Sequence, residues 1–440
     1  MDVKELRQVR RDLNRFVRKF DGCIKTKPSR AHFRTYVNGQ LGSLERKSVE
    51  PIALEAGVAP RTLQQFLSEY EWDEDAVERR LRAWAKRKHA CPNAIGVIDE
   101  TSFAKKGTKT TGVQHQYCGA TGKTDNCVVS VHLGYVTPDF HALLNGDLYL
   151  PKSWTEDPER RREAGIPEDV VFKPKWRIAL ELIRRSRAEG VPLEWITADE
   201  FYGRAGPFRD GVAAMGLWYV VEIPSNLTGW TRAPQVERAG TVLASGHTLK
   251  HDRVPEGERS ARPVSKLWHR GGPSWQLYRV KETEKGPVVW EVRETRFLPN
   301  RGRAPGAEVR LLVAREVLTG EIKYFLAHAP KETPVRDILC VAFSRWHIER
   351  LFEDGKGEVG FDHFEVRKYR SLRRHLVLTQ LSLAFLADQT SKLREKKLVV
   401  EPVSGAQGGR DATRLFVIEA GHGAPLGADG REDRLLATSG

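Results

Sequence analysis

Apolar residues recur at three- and four-residue spacing through the first ninety positions, starting with Val3, Leu6, Val9, Leu13 and Phe16, and basic residues fill the gaps. That period predicts amphipathic helices. Between Ser48 and Tyr70 the pattern divides in two. Ile52, Ala53, Leu54 and Ala56 make one short apolar helix, and Leu63, Phe66 and Leu67 mark one face of the next. Gly57 and Pro60 lie between them. This is the outline of a helix-turn-helix, whose second helix can enter a major groove, and equally of a packed helical hairpin. A third helix, Asp73 to His89, carries Arg79, Arg80, Arg82, Lys86, Arg87 and Lys88, a face suited to solvent or to phosphates.

At Ala94 the period changes. Ala94 to Ile98 is a short apolar run that ends in Asp99, as expected of a buried central strand. Val128 to Val136 and His141 to Leu150 read as further strands, with the turn-rich Gly119 to Asp125 as the connection before them. An amphipathic helix, Lys175 to Glu189, precedes a strand, Leu193 to Thr197, which is followed by a second aspartate, Asp199. A helix (Phe208 to Met215) and a strand (Trp218 to Ile223) come next. The order of three strands, helix, strand, helix and strand resembles a ribonuclease H-like α/β core with a mixed sheet. From Ser225 to about Tyr324, Gly and Pro are frequent. Short alternating runs (Trp275 to Val280, Val288 to Val292, Val309 to Val313) predict a β-rich insertion. Thr333-Pro334 offers an N-cap and first-turn proline for a helix running to about Asp354, and a leucine-rich helix follows from Ser371 to Lys392. The expected organisation is a helical N-terminal DNA-binding domain (1–90), a catalytic core in two parts (91–225 and 329–395), a β-rich insertion (226–328), and a flexible tail (396–440).

Composition narrows the partners. Hydrophobic residues are 40% and charged residues 30% of the 440, enough apolar content for globular cores. The formal net charge is +14, which favours a polyanionic partner such as nucleic acid. The N-terminus shows no signal-peptide pattern and no run approaches the roughly 18 apolar residues of a membrane span, so a cytoplasmic protein with no membrane partner is expected. Five scattered cysteines form no Cys-x-x-Cys pair, which argues against a disulfide frame or a zinc site.

Two aspartates at strand ends stand where α/β sheets place their sites. Carboxylates brought together there repel unless a cation lies between them, and oxygen-only ligands suit Mg²⁺ or Mn²⁺. Two such ions are the usual device for phosphodiester displacement. The third element is the segment Arg345-Trp346-His347-Ile348-Glu349-Arg350-Leu351-Phe352-Glu353-Asp354-Gly355-Lys356. Arg345 and Glu349 share a helical face, and Lys356 lies two turns beyond, so one carboxylate stands between two cations. Charge spacing alone would equally suit a salt-bridged surface helix.

This segment resembles the Y-x2-R-x3-E-x6-K signature of bacterial insertion-sequence transposases of the DDE superfamily. Arg345, Glu349 and Lys356 fall on its arginine, glutamate and lysine, while Ala342 occupies the tyrosine position with Phe343 and Trp346 nearby. Ile98-Asp99-Glu100-Thr101 and Ile196-Thr197-Ala198-Asp199 resemble the blocks of the first two acids. The resemblance, which covers roughly residues 94 to 390, implies a catalytic and metal-binding triad of Asp99, Asp199 and Glu349 with two Mg²⁺ or Mn²⁺ ions. It also implies double-stranded DNA, as transposon ends and target, and a homodimer in the synaptic complex of a nucleoid-associated bacterial protein. Arg345, Lys356, Lys105 and Lys106 are candidate DNA contacts. Lys109 could line the same path.

Glu353 lacks the flanking Arg and Lys of Glu349. Glu100 and Glu200 should point away from their aspartates if strand alternation holds. In such transposases the insertion carries a tryptophan that stacks on an extruded base, and Trp268, Trp275 and Trp290 are the candidates. His115, His132 and His347 show no ligand spacing. Two other functions would use the same residues. One is a ribonuclease H-like nuclease that never joins strands. The other is a non-catalytic regulator, which the three intact acids disfavour.

Overall fold

A computed structural model of the chain describes residues 3–267, 274–283 and 286–399. Five helices come first: α1 (Val3–Arg18), α2 (Lys27–Leu41), α3 (Val49–Glu55), α4 (Pro60–Ser68) and α5 (Glu74–His89). Then follow β1 (Ile95–Ala104), β2 (Gln114–Cys118), β3 (Lys123–Val136), β4 (His141–Tyr149), α6 (Lys152–Thr155), α7 (Pro158–Ala164), α8 (Lys175–Ala188), β5 (Trp195–Ala198), α9 (Glu200–Gly203), α10 (Gly206–Ala214) and β6 (Trp218–Ile223). The third stretch holds β7 (Thr228–Trp230), β8 (Arg262–Pro263), β9 (Gln276–Thr283), β10 (Gly286–Pro299), β11 (Val309–Glu316) and β12 (Ile322–His328). Helices α11 (Val335–Phe343), α12 (Trp346–Val359) and α13 (Tyr369–Val399) complete the described chain.

The strands form one mixed sheet in the order β2-β3-β1-β5-β6-β12-β11-β10-β7-β8, with β4 also on β3 and β9 also on β10. Only β1, β5 and β6 run parallel among the described pairs. Strand alternation sorts the core into two layers. Ile98, Ile196 and Ala198 face the layer that contains α8 and α10, while Ile95, Val97 and Trp195 face α11 and α12. Strand β12 pairs with β6, so the segment after β6 widens the same sheet.

The helical reading of the N-terminal region holds, with Gly57 at φ 66° between α3 and α4 and Pro60 opening α4. Helix α4 buries Leu63, Phe66 and Leu67. Its C-terminal carbonyls would be orphans of the last turn. Buried Arg374 of α13 satisfies them, donating to the carbonyls of Phe66, Leu67 and Tyr70 at 3.3, 3.2 and 2.9 Å. Arg61 and Gln64 remain on the exposed side of α4. The basic face expected on α5 is partly consumed by packing. Arg82 is buried, paired with Glu189 at 2.7 Å and with Glu78 at 3.5 Å, so it cannot track phosphates.

Several sequence expectations need correcting, among them the strand expected to end at Asp99, since β1 runs on to Ala104. The connection Gly119 to Asp125 shrinks to a four-residue turn, because β2 and the start of β3 form a hairpin. Its residues (Gln114-His115-Gln116, Lys123-Thr124-Asp125) are mostly polar and exposed, so no alternation marked them. The helix expected from 334 to 354 is broken between α11 and α12. At the joint the N–H of Ser344 donates to Cys340 and Val341 carbonyls, its Oγ donates to the Val341 carbonyl at 2.7 Å, and the ladder tightens to three-residue steps at His347 and Ile348. Pro334 is the N-cap of α11 rather than its first helical residue. Helix α13 runs on to Val399, into the stretch assigned to the tail; the tail from residue 400 on lies outside the described residues.

Candidate active site

Strands β1 and β5 pair in parallel with Ile95 opposite Trp195 and Ile98 opposite Ala198. Asp99 and Asp199 are therefore the next pair beyond that ladder: Asp199 follows the last residue of β5, whereas Asp99 lies in mid-strand, because β1 runs on to Ala104 in antiparallel pairing with β3. By alternation Asp99 leaves the sheet on the side of α11 and α12, in line with Ile95 and Val97. Asp199 ends β5 by capping α9: its Oδ1 accepts the N–H groups of Phe201 and Tyr202 at 3.0 and 3.3 Å. Asp99 Oδ1 accepts the N–H of Glu100 at 2.8 Å. The second oxygen of Asp99 faces the Arg345 guanidinium.

The electrostatics are strained. Burial, then the charges of Asp199 and Glu100, push the Asp99 carboxyl up to about 8. Burial and Glu100 push Asp199 up to about 6. The opposing cation is Arg345, at the joint between α11 and α12, with its guanidinium 3.5 Å from Asp99 Oδ2 and 2.6 Å from Glu349 Oε1. Glu349, in the first turn of α12, is half-exposed, with 52% of its side chain open to solvent. The structure thus brings Asp99 and Asp199 together and sets Glu349 across Arg345 from Asp99. Among the described residues no group of three or more His, Cys, Asp or Glu converges as a ready-made metal cage. An all-oxygen pair, buried and short of positive charge, still has the chemistry that a hard divalent cation satisfies.

Lys356 lies roughly 10 Å further along α12. Burial lowers its pKa, and Asp362 is the carboxylate whose charge opposes that. Lys105 does not point freely to solvent. Its Nζ donates to the Phe364 carbonyl at 2.9 Å and stands 3.5 Å from the Phe364 ring, and burial pushes it down to about 8. Lys106 is exposed. Beyond them, a recess of about 630 Å³ is lined by Lys109, Trp154, Arg160, Arg367 and Lys368, with the Arg160 guanidinium 3.8 Å over the Trp154 ring. Sequence reasoning missed Arg160, Arg367 and Lys368, because they come from separate segments and share no spacing.

Trp290 is buried beside Phe343, ring centroids 5.1 Å apart, in a cavity of about 330 Å³ that also touches Lys323, Phe325, Arg345 and Trp346. Its Nε1 has no hydrogen-bond partner among the described residues. Ala342, at the tyrosine position of the signature, lines the same cavity. Trp275 is flanked by the guanidiniums of Arg293 and Arg315, each 4.8 Å away. Trp268 lies outside the described residues. Glu353 pairs with Arg350 at 3.6 Å on the exposed side of α12. His132 is buried against Ser130 Oγ at 2.7 Å, and burial pushes it down to about 3, a structural histidine.

With the two acids in place, the family follows from a direct match. Residues 19–287 match the family model described as DDE superfamily endonuclease. The chain belongs to this family. The matched span contains Asp99 and Asp199 and ends before Arg345, Glu349 and Lys356. The chain is also similar to the "Probable transposase for insertion sequence element IS701" of Microchaete diplosiphon, with 32% identity over 191 residues. That alignment covers 43% of this chain and 47% of the relative, so the DDE-family chain matches about half the length of its relative. No helix among the described residues is long and apolar enough to cross a membrane.

Proposed function

We propose that this DDE-family protein is a cut-and-paste DNA transposase that cleaves at the terminal inverted repeats of its element and joins the ends to target DNA. The observation that carries this reading is the pairing of Asp99 with Asp199 where the parallel ladder of β1 and β5 ends, with Arg345, of the joint that starts the Glu349 helix, between Asp99 and Glu349. Strand order and the helices on both faces support a ribonuclease H-like core, with the segment after β6 as its β-rich insertion. Asp99 and Asp199 would hold the metal, and Glu349, whose half-exposed side chain now pairs with Arg345, would complete the set. The bound ions, two Mg²⁺ or Mn²⁺, supply activation of a water or 3′-hydroxyl nucleophile and stabilisation of the leaving oxygen.

The protein's own groups do the rest. Arg345, released from Glu349, is placed to bind a scissile-strand phosphate. Lys356 and Lys106 extend that positive track, Lys105 braces the loop at Phe364 beside it, and Arg367 and Lys368 continue it. The cavity at Trp290 has the aromatic walls and the buried position to take an extruded base. The exposed face of α4 reads the end sequence, and two copies of the chain synapse two ends.

The test is incubation of the purified chain with Mg²⁺ or Mn²⁺ and DNA carrying the element's ends, beside Asp99→Ala, Asp199→Ala and Glu349→Ala. Cleavage with strand joining, lost in all three variants, is the expected result. Cleavage without joining would show a nuclease instead, and DNA binding with no metal-dependent cutting would show a regulator.

A further inference from the structure

Glu100 leaves β1 on the face opposite Asp99, as strand alternation requires, yet it is not an idle surface carboxylate. Its Oε2 accepts a hydrogen bond from the Tyr202 hydroxyl at 2.6 Å, and its Oε1 accepts one from Lys175 Nζ, also at 2.6 Å. The Tyr202 ring is fully buried and packs on Phe208 with centroids 5.6 Å apart. Burial and the neighbouring carboxylates raise the Tyr202 phenol well above its ordinary value, so the hydroxyl stays a donor.

The connectivity gives this contact its meaning. Asp199 and Tyr202 belong to one turn, α9, whose N–H groups bond the Asp199 carboxylate and whose Gly203 N–H bonds the Asp199 carbonyl at 2.8 Å. That turn is pressed against β6: a Cβ on Gly203 would lie 1.8 Å from the Glu222 carbonyl oxygen, so only glycine fits. Glu100 is covalently next to Asp99. The hydrogen bond from Tyr202 to Glu100 therefore joins the turn that carries the second acid to the strand that carries the first, through the opposite face of the sheet. Lys175, at the start of α8, closes the arrangement from a third element.

We propose that Glu100, Tyr202 and Lys175 form a positioning clamp that sets the separation of Asp99 and Asp199 and so the affinity of the pair for a divalent cation. The inference rests on the metal-binding reading of the two aspartates. Groups that orient ligands from outside the metal's own contacts typically change affinity by about 10–100-fold when removed.

The full chain is titrated with Mn²⁺ without DNA, reading bound ion by electron paramagnetic resonance, and its thermal melting is followed in parallel. Tyr202→Phe removes one hydroxyl and keeps the ring packing. The expected result is about tenfold weaker Mn²⁺ binding with little change in melting. Glu100→Leu, which offers the Tyr202 hydroxyl no acceptor, should weaken binding at least as much, and the double variant no more than Glu100→Leu alone, because both remove the same bond. Wild-type Mn²⁺ affinity in Tyr202→Phe overturns the clamp, and so does a lower melting temperature with unchanged affinity. Asp99→Asn is the control. If it abolishes Mn²⁺ binding while Tyr202→Phe does not alter it, the metal site stands and the clamp fails. If Asp99→Asn binds Mn²⁺ normally, both fail. Should Tyr202→Phe not fold, Lys175→Met tests the same carboxylate from its partly exposed partner, with about threefold weaker binding expected.

Discussion

Two acids show opposite uses of buried charge in this chain. Asp388 of α13 is surrounded by hydrogen-bonding partners, two of them cations: His89 Nε2 at 3.0 Å, Lys392 Nζ at 3.1 Å, and Lys88 in close contact. Burial opposes its ionisation, but hydrogen bonds from His89 and Lys88 outweigh that and hold the carboxyl well below the usual range. Asp99 is comparably enclosed and has Asp199 and Glu100 for neighbours, with Arg345 at 3.5 Å as the opposing charge, and it is pushed up to about 8. The first cluster ties α1, α5 and α13 together and is complete in itself. The second is short of positive charge, as expected where a cation or phosphate chemistry is to enter. Burial alone does not separate a structural acid from a functional one. The sign of its surroundings does.

The comparison can be broken in four ways. The largest effect is expected at the incomplete cluster. Asp99→Asn should lower metal-dependent cleavage of end-bearing DNA by about 10²–10³-fold or more, while Asp388→Asn should leave the rate of the folded enzyme near wild type. Initial rates at matched folded fractions check this, and equal losses in both variants would erase the distinction.

Stability should respond in the reverse sense. Asp388→Asn leaves Lys88 and Lys392 without their carboxylate and should cost about 2 kcal/mol at pH 7, discounted for the exposure of both lysines. The folded pKa of Asp388 is depressed. Its contribution is therefore present above the unfolded value near 4 and lost as pH falls below that value. Denaturant melts should show a constant gap between wild type and variant from pH 7 to about pH 5, closing progressively as the pH falls below about 4.

For Asp99 the linkage runs the other way. Between its unfolded value of 3.8 and its folded value of about 8, the native state keeps a proton that the unfolded chain has lost. Metal-free wild type should therefore lose stability as pH rises across that window, on the order of 1–2 kcal/mol, and Asp99→Asn should flatten the slope. Added Mn²⁺ should restore the wild type at pH 8 and not the variant. A wild-type melting temperature that rises with pH relative to Asp99→Asn would contradict the raised value.

The smallest effect tests redundancy. Lys392→Met removes one of the cations around Asp388 and should cost under about 1 kcal/mol, because Lys88 and His89 remain. Arg345→Met should instead move the Asp99 titration midpoint above its wild-type position, measurable by NMR of the labelled carboxyl. A large stability loss in Lys392→Met would mean that the cluster depends on every member.

Legibility followed the strength of the local pattern. Helices α1 and α3 to α5, the first half of strand β1, strand β6, and helices α8 and α13 were marked by apolar spacing, because each buries a face of fixed period. The β2–β3 hairpin was invisible, since a polar, exposed ribbon has no period to read. The break at Ser344 was also hidden. Its apolar residues continue the helical spacing from Ile338 to Ile348, and the turn is made by hydrogen bonds of Ser344 that spacing does not encode. Asp99 and Asp199 were found because each follows a short apolar run, although β1 itself continues past Asp99 to Ala104. Arg160, Arg367 and Lys368 were not, because three segments distant in the sequence bring them to one recess.

By itself the sequence determined the candidates: two aspartates after short apolar runs, and Arg345, Glu349 and Lys356 at helical spacing. Periods of two and 3.6 residues are local properties that a chain displays before it folds. Only the tertiary structure decided which charges meet. The parallel register of β1 and β5 sets Asp99 beside Asp199. The break between α11 and α12 places Arg345 between Asp99 and Glu349. The α9 turn, pressed on β6 at Gly203, brings the Tyr202 hydroxyl to Glu100. Coulomb energy depends on distance and on the surrounding medium, and neither exists until separate segments pack together.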